Sequence, residues 1–315
     1  MNATRIHARH LPVTRRGLAV ALTVAALLTA SLLATAAAKQ YGPWASPVSA
    51  ESLAGTSADL NTAFVDGCPI QSPDGLSLYL ASTRPRFIGD TRTDLDIWVA
   101  TRASVAAPFG APVNLGEPIN SGADDFCPTP VQGKGLFFVS ARAVAGACGA
   151  GDIYFARLSP VHGWTAPVNL GCTVNSAAGE AGPSYFEAGG QGYLYFSSGP
   201  DIYASLEVGD GVFGAAAPVA GLNSAAGDFR PNVRKDGLEI VFDSNRSGSV
   251  GGQDLYFATR ASVADPWSTP VNGGAAVNTA AASETRGSFS WDGATLYFGR
   301  APGPEGMTDV FVTTR

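Results

Sequence analysis

Residues 151–171 read GDIYFARLSPVHGWTAPVNLG, and residues 253–273 read QDLYFATRASVADPWSTPVNG. The two phrases are nearly the same sentence, and their shared core, D-[IVL]-[YFW], is found at Asp96, Asp152, Asp201, Asp254 and Asp309. The five copies are separated by 56, 49, 53 and 55 residues. A near-constant period of this length marks a repeat architecture, and the Val, Tyr and Phe content of the copies makes it a strand repeat.

Each repeat divides into four strands. An acidic residue opens the first, as in DDFCPTPV from Asp124, GDFRPNV from Gly227 and SETRGSFS from Ser283. A tight turn follows (SPDG, QGKG, KDG, WDG), in which glycine adopts positive φ at little cost. The second strand is LYLAS, LFFVS, LYFSS, IVFDS or LYFGR, and a Gly-rich loop then leads to the D-I-Y strand. The fourth begins at an aromatic (PFGAPVNLG, WTAPVNLG, PWSTPVNGG), and its proline suits an outer edge.

The fifth repeat stops at Arg315 after its third strand, whereas residues 41–48, YGPWASPV, carry a fourth-strand signature at the other end. The expected fold is therefore all-β: a five-bladed β-propeller of four-stranded antiparallel blades, closed by the N-terminal strand completing the last blade. The blades span about 64–121, 122–176, 177–224, 225–279, and 280–315 plus 41–62. An open sandwich of similar strands is the alternative. The phrases SPDGLSLYLAS, DLDIWVATR and APVNLGEPINS resemble TolB-type, WD-repeat-like propellers of the bacterial envelope, over residues 44–315. That resemblance implies a periplasmic or extracellular binding or scaffolding module. TolB itself has six blades and an extra N-terminal domain, so its own role does not transfer.

Residues 1–38 read as a signal peptide: Arg5, Arg9, Arg15 and Arg16 precede a continuous run of apolar and small residues over 18–38. An uncleaved anchor is the alternative, and the Arg15-Arg16 pair leaves Sec and Tat export both open. The propeller would then occupy 39–315. Losing four arginines takes the net charge from −6 to about −10, which repels phosphate backbones and argues against nucleic acid. An exported location, periplasmic or extracellular, suits the four cysteines, with Cys68–Cys127 and Cys148–Cys172 the expected disulfides.

Symmetry places five acids, Asp66, Asp125, Glu180, Asp228 and Glu284, around one face, here called the top. Arginines ending the second strands (Arg84, Arg142, Arg246, Arg300) should meet the acids of their own blades. Blade 3 has Ser197-Ser198 instead, leaving Glu180 without an arginine, while Arg230 and Arg286 stand where blades 1 and 2 carry Cys68 and Cys127. Two readings follow: structural ion pairs and loop caps, or a ligand site made of Asp66, Asp125, Glu180, Asp228, Glu284, Arg230 and Arg286. The D-I-Y aspartates should bond backbone amides, with calcium at the loop 91–96 (TRTDLD) as the alternative and no other cofactor expected. Trp44, Phe109, Trp164, Phe213 and Trp267 should pack between blades, with carbohydrate stacking the alternative.

His162 is the one histidine beyond the signal, and it falls on the opposite face. A histidine-activated nucleophile or a His-ligated zinc site at the top is therefore excluded. The expected function is an exported, non-catalytic propeller binding an envelope protein partner or a small polar or carbohydrate ligand at its top face. The alternative is a carboxylate glycoside hydrolase. In that reading the layout resembles five-bladed arabinanase-type enzymes, and Asp66, Asp125 and Glu180 would be base, modulator and acid.

Overall fold

A computed structural model of the protein describes residues 41–315. The signal-peptide reading of 1–38 lies outside the described residues. Five antiparallel sheets follow one another along the chain. Blade 1 comprises Asp66–Gln71, Ser77–Ser82, Asp96–Thr101 and Val113–Asn114. Blade 2 comprises Asp125–Val131, Gly135–Ser140, Asp152–Ser159 and Val168–Asn169. Blade 3 uses Glu180–Ala188, Gln191–Ser198, Asp201–Gly209 and Ala217–Pro218, and blade 4 uses Asp228–Val233, Glu239–Ser244, Asp254–Thr259 and Val271–Asn272. Blade 5 is Ser283–Phe289, Thr295–Ala301 and Asp309–Thr314, with Val48–Ser49 paired antiparallel to Val312 and Phe311.

The outer strands are shorter than the sequence suggests. Only two residues pair in each, because the proline just before them in blades 1, 2 and 4 has no N–H to give. The preceding aromatics pack rather than pair: Phe109, Phe213 and Trp267 are buried between blades. Arginines at the ends of third strands lie over several of these rings, Arg102 on Phe109 at 4.4 Å, Arg260 on Trp267 at 4.1 Å and Arg315 on Trp44 at 4.2 Å.

One device repeats at every blade start. The acid accepts from the backbone N–H and hydroxyl of a Ser or Thr four residues upstream (five in blade 5, Thr279 to Glu284), as Asp66 does from Thr62 and Asp125 from Ser121 at 2.6–2.7 Å. The asparagine preceding that Ser or Thr reaches back to the third strand: Asn120 Oδ1 accepts from Ile97 N and Asn175 Oδ1 from Ile153 N, both at 2.8 Å. Each connection between blades is thereby held at both ends by side chains.

A second device closes the axis. Every first strand has a bulge, and the residue two places after its acid has positive φ: Cys68, Cys127, Gly182, Arg230 and Arg286. Cys68 is bonded to Cys127 and Cys148 to Cys172, as expected. Arg286 is fully buried, and its guanidinium donates to Pro231 O at 2.8 Å, Pro183 O at 2.9 Å, Thr129 Oγ1 at 3.0 Å and Gly182 O at 3.2 Å. Arg230 turns to Asp243, with Nη2 to Oδ2 at 2.6 Å. Gly182 is required where it stands, since a Cβ there would overlap Arg230 Cα.

Candidate functional site

The five top-face acids do not form an open rim. Asp66, Asp125, Asp228 and Glu284 are each 0% exposed and paired with Arg84, Arg142, Arg246 and Arg300. Stripping two charges of water demands full pairing, and the blade supplies it. Glu180 lacks an arginine and accepts from Ser176 Oγ at 2.7 Å and Ser198 Oγ at 2.9 Å, while Oε2 stays buried without a partner. Burial holds its carboxyl above the ordinary range, against those serine bonds. Arg286 is sealed inside, and Arg230 is committed to Asp243 and to Gln253 Oε1 at 2.7 Å. The structure thus places six of these seven side chains, all but Glu180, in ion pairs or hydrogen bonds that cross-link strands within a blade or one blade to another.

The D-I-Y aspartates close loops. Asp152 accepts from Cys148 N at 2.7 Å and Gly149 N at 3.0 Å, and Asp254 from Val250 N and Gly251 N at 2.7 and 3.1 Å. In the loop 91–96 a guanidinium holds the place proposed for calcium. Arg86 lies 2.5 Å from Asp90, 3.8 Å from Asp94 and 3.4 Å from Asp96. Among the described residues no group of three or more His, Cys, Asp or Glu is arranged for a metal ion.

Open space lies on the opposite face, among the turns joining first and second strands. A cavity of about 700 Å³ follows the seam of blades 5 and 1, lined by Gln71, Asp74, Arg102, Trp291 and Tyr297 among others. A second, of about 490 Å³, is bounded by Pro73, Lys134, Tyr185, Glu187, Lys235 and Trp291, and it shares Trp291 with the first. A cleft of about 320 Å³ adjoins it, with Lys134, Glu187, Glu207 and Asp210 on its walls.

Lys134, Tyr185, Glu187 and Glu207 converge where the second cavity meets the cleft. Blade 3 brings this about by length. Its first and third strands run for nine residues where those of blades 1 and 4 run for six and those of blade 2 for seven and eight, and Glu187 and Glu207 lie in the added length. Tyr185 Oη lies 2.6 Å from Glu187 Oε1 and 2.6 Å from Glu207 Oε2. Lys134 Nζ donates to Glu187 Oε1. A phenol has one proton to give, so both short contacts are completed only when a further proton resides in the group. Burial, with both carboxylates beside it, raises the Tyr185 phenol far above its ordinary value, so it keeps its proton. The Lys134 ammonium holds the Glu187 carboxyl below its ordinary range.

Gly192 makes room for the group, since a Cβ there would overlap both Glu207 Oε2 and Tyr185 Oη. Trp291 completes the setting, 42% exposed, with Lys235 Nζ 4.5 Å from its ring.

The sequence reading passed over all of these residues. Two signals could have found them: the 49-residue spacing that sets blade 3 apart, and the variation among turns otherwise built alike.

No protein-family model matches the chain, and no curated relative does. Solved structures share its fold. The catalytic domain of a GH62 α-L-arabinofuranosidase from Coprinopsis cinerea superposes with a TM-score of 0.55 at 12% identity, covering 87% of this chain and 97% of that one. The GH43 endo-arabinanase from Bacillus licheniformis gives 0.55 at 11%, covering 82% and 94%. A putative TolB from Agrobacterium tumefaciens gives 0.45 at 16%, covering 76% and 71%.

The expectation of a non-catalytic binding module is corrected by this comparison. The two structures named above with TM-scores over 0.5 are both glycoside hydrolases.

Proposed function

We propose that this protein is a carboxylate-based glycoside hydrolase whose reacting groups are Glu187 and Glu207. The observation that carries the reading is the shared phenol. Two carboxylate oxygens, each 2.6 Å from Tyr185 Oη, lie no more than about 5.2 Å apart, closer than the pair of an inverting enzyme and within the limit for a retaining one. Glu187, kept ionised by Lys134, is the nucleophile toward the anomeric carbon. Glu207, held by Tyr185 Oη, is the acid that gives its proton to the departing oxygen. Water then releases the sugar from Glu187 as that proton is recovered. Two neighbouring depressions, one on each side of the pair, give room for sugar on both sides of the bond. Support also comes from the fold, which propellers titled as arabinofuranosidase and endo-arabinanase share.

An arabinanase-type layout would instead assign base, modulator and acid to Asp66, Asp125 and Glu180. We place the chemistry elsewhere because Arg84 and Arg142 already hold the first two, and all three side chains are buried. Two disulfides support an exported setting for the reaction, periplasmic or extracellular. Among the described residues no helix is long and apolar enough to cross a membrane.

The test is incubation of the oxidised protein with a panel of plant and bacterial polysaccharides, with released sugars read by chromatography. Glu187→Gln and Glu207→Gln should each lower release at least about a hundredfold, and Glu180→Gln should not. No release from any polymer, or activity that survives both substitutions and falls with Glu180→Gln, overturns the proposal.

A further inference from the structure

The charged side chains around the cavity of about 490 Å³ are not equivalent. Lys134 is taken by Glu187. Asp236 is taken by Arg234, at 2.8 Å, and Arg234 is shared in turn with Glu239. Lys235 has no carboxylate within ion-pair distance among the described residues, and its ammonium lies against the ring of Trp291. A protein with net charge −6 thus leaves one unspent cation on the cavity wall, beside an exposed aromatic.

That combination has a chemical meaning. A neutral sugar chain gains little from a lone ammonium, which must give up water to approach it. An anionic substituent repays that loss. Lysine offers a compact point charge with three donors on a flexible stem, and so accepts a carboxylate or sulfate at varied angles. The indole offers an apolar plane for a sugar ring, and Lys235 Nζ lies over the indole, 4.5 Å from its centroid, which fixes where a charged substituent must reach.

Resting on the hydrolase reading of the same cavity, we infer that the bound glycan is acidic, with an anionic sugar residue seated against Trp291 and its charged group on Lys235.

The experiment measures binding apart from turnover. Calorimetric titration of the full chain would use an oligogalacturonate, its carboxyl-reduced neutral counterpart of the same linkage, and a sulfated oligosaccharide. The expected result is that at least one anionic oligomer binds about tenfold more tightly than the neutral one, in a salt-sensitive manner. Which oligomer binds identifies carboxylate or sulfate as the group recognised. Lys235→Met should abolish the preference, Lys235→Arg should keep most of it, and Trp291→Ala should weaken every ligand.

Equal binding of charged and neutral oligomers overturns the inference, as does a preference unchanged in Lys235→Met. Failure of both anionic oligomers to bind at millimolar concentration also overturns it. Lys235-dependent binding without cleavage of any polymer would sink the hydrolase reading and leave the anionic preference standing. Cleavage confined to neutral polymers, unaffected by Lys235→Met, would do the reverse.

Discussion

Replacing Arg286 by methionine should cost about 3 kcal/mol of folding stability. The side chain leaves blade 5 and donates four hydrogen bonds at 2.8–3.2 Å to acceptors in blades 2, 3 and 4. Bonds from a charged donor contribute roughly 1.5–3 kcal/mol each, so the four sum to about 6–12 kcal/mol. Against this stands the charge itself. Burial pushes the guanidinium from 12.5 down to about 9, leaving it charged at neutral pH. At about 1.36 kcal/mol per unit, that fall corresponds to a net cost on the order of 5 kcal/mol, chiefly desolvation, eased by Asp243 and added to by Arg230. The difference is a few kilocalories in favour of arginine.

Methionine removes both terms, fills much of the volume and strands four acceptors. Lysine keeps the charge without the planar fork, so Arg286→Lys should be at least as destabilised as Arg286→Met. Guanidinium chloride unfolding of the oxidised protein, followed by tryptophan fluorescence, reads both midpoints and slopes. A methionine variant within about 0.5 kcal/mol of wild type at unchanged slope would refute this account of the axis, and so would a well-tolerated lysine.

Glu51 gives a pH prediction. Burial and the neighbouring Glu305 raise its carboxyl from 4.5 to about 7. An acid raised by folding lends stability below its unfolded value, and that stability is lost as pH rises between 4.5 and about 7. Since the side chain is only partly buried and solvent screens it, Glu51→Gln should stabilise at pH 8 by no more than about 1 kcal/mol, with no gain at pH 4. Thermal melts at the two pH values would show this. Removing the Cys68–Cys127 bond, which spans 59 residues, should cost about 4 kcal/mol in chemical unfolding, against about 3.5 kcal/mol for the 24-residue span of Cys148–Cys172. Gly192→Ala should leave the far-UV spectrum intact yet lower glycan cleavage as far as Glu207→Gln does, because the added methyl displaces both Glu207 and Tyr185.

The blades were readable because what builds them is local and repeated. Asp-Gly turns, D-I-Y strands and the upstream Asn-Ser or Asn-Thr step appear in sequence order, and each makes its bonds within a blade or to the next connection. The pairing of Asp66 with Arg84 and of Asp125 with Arg142 was legible for the same reason. The cavity was not. Glu187 and Glu207 stand 20 positions apart, and they meet near the ends of the nine-residue first and third strands of blade 3. Lys134 comes from blade 2 and Trp291 from blade 5, so no motif spans the group. Repetition pointed to the top-face acids, while the open cavities sit at turn positions where the five copies disagree.

The bulged residue of each first strand works as one leaf of an iris. Two leaves are stapled by sulfur, one is bare backbone, and two carry guanidinium arms folded across the opening. At this level the bore is set by one residue from each blade, all at the same bulge position. Smaller side chains at Cys68, Cys127, Arg230 and Arg286 would widen the axis there, at the expense of the links now made within and between blades.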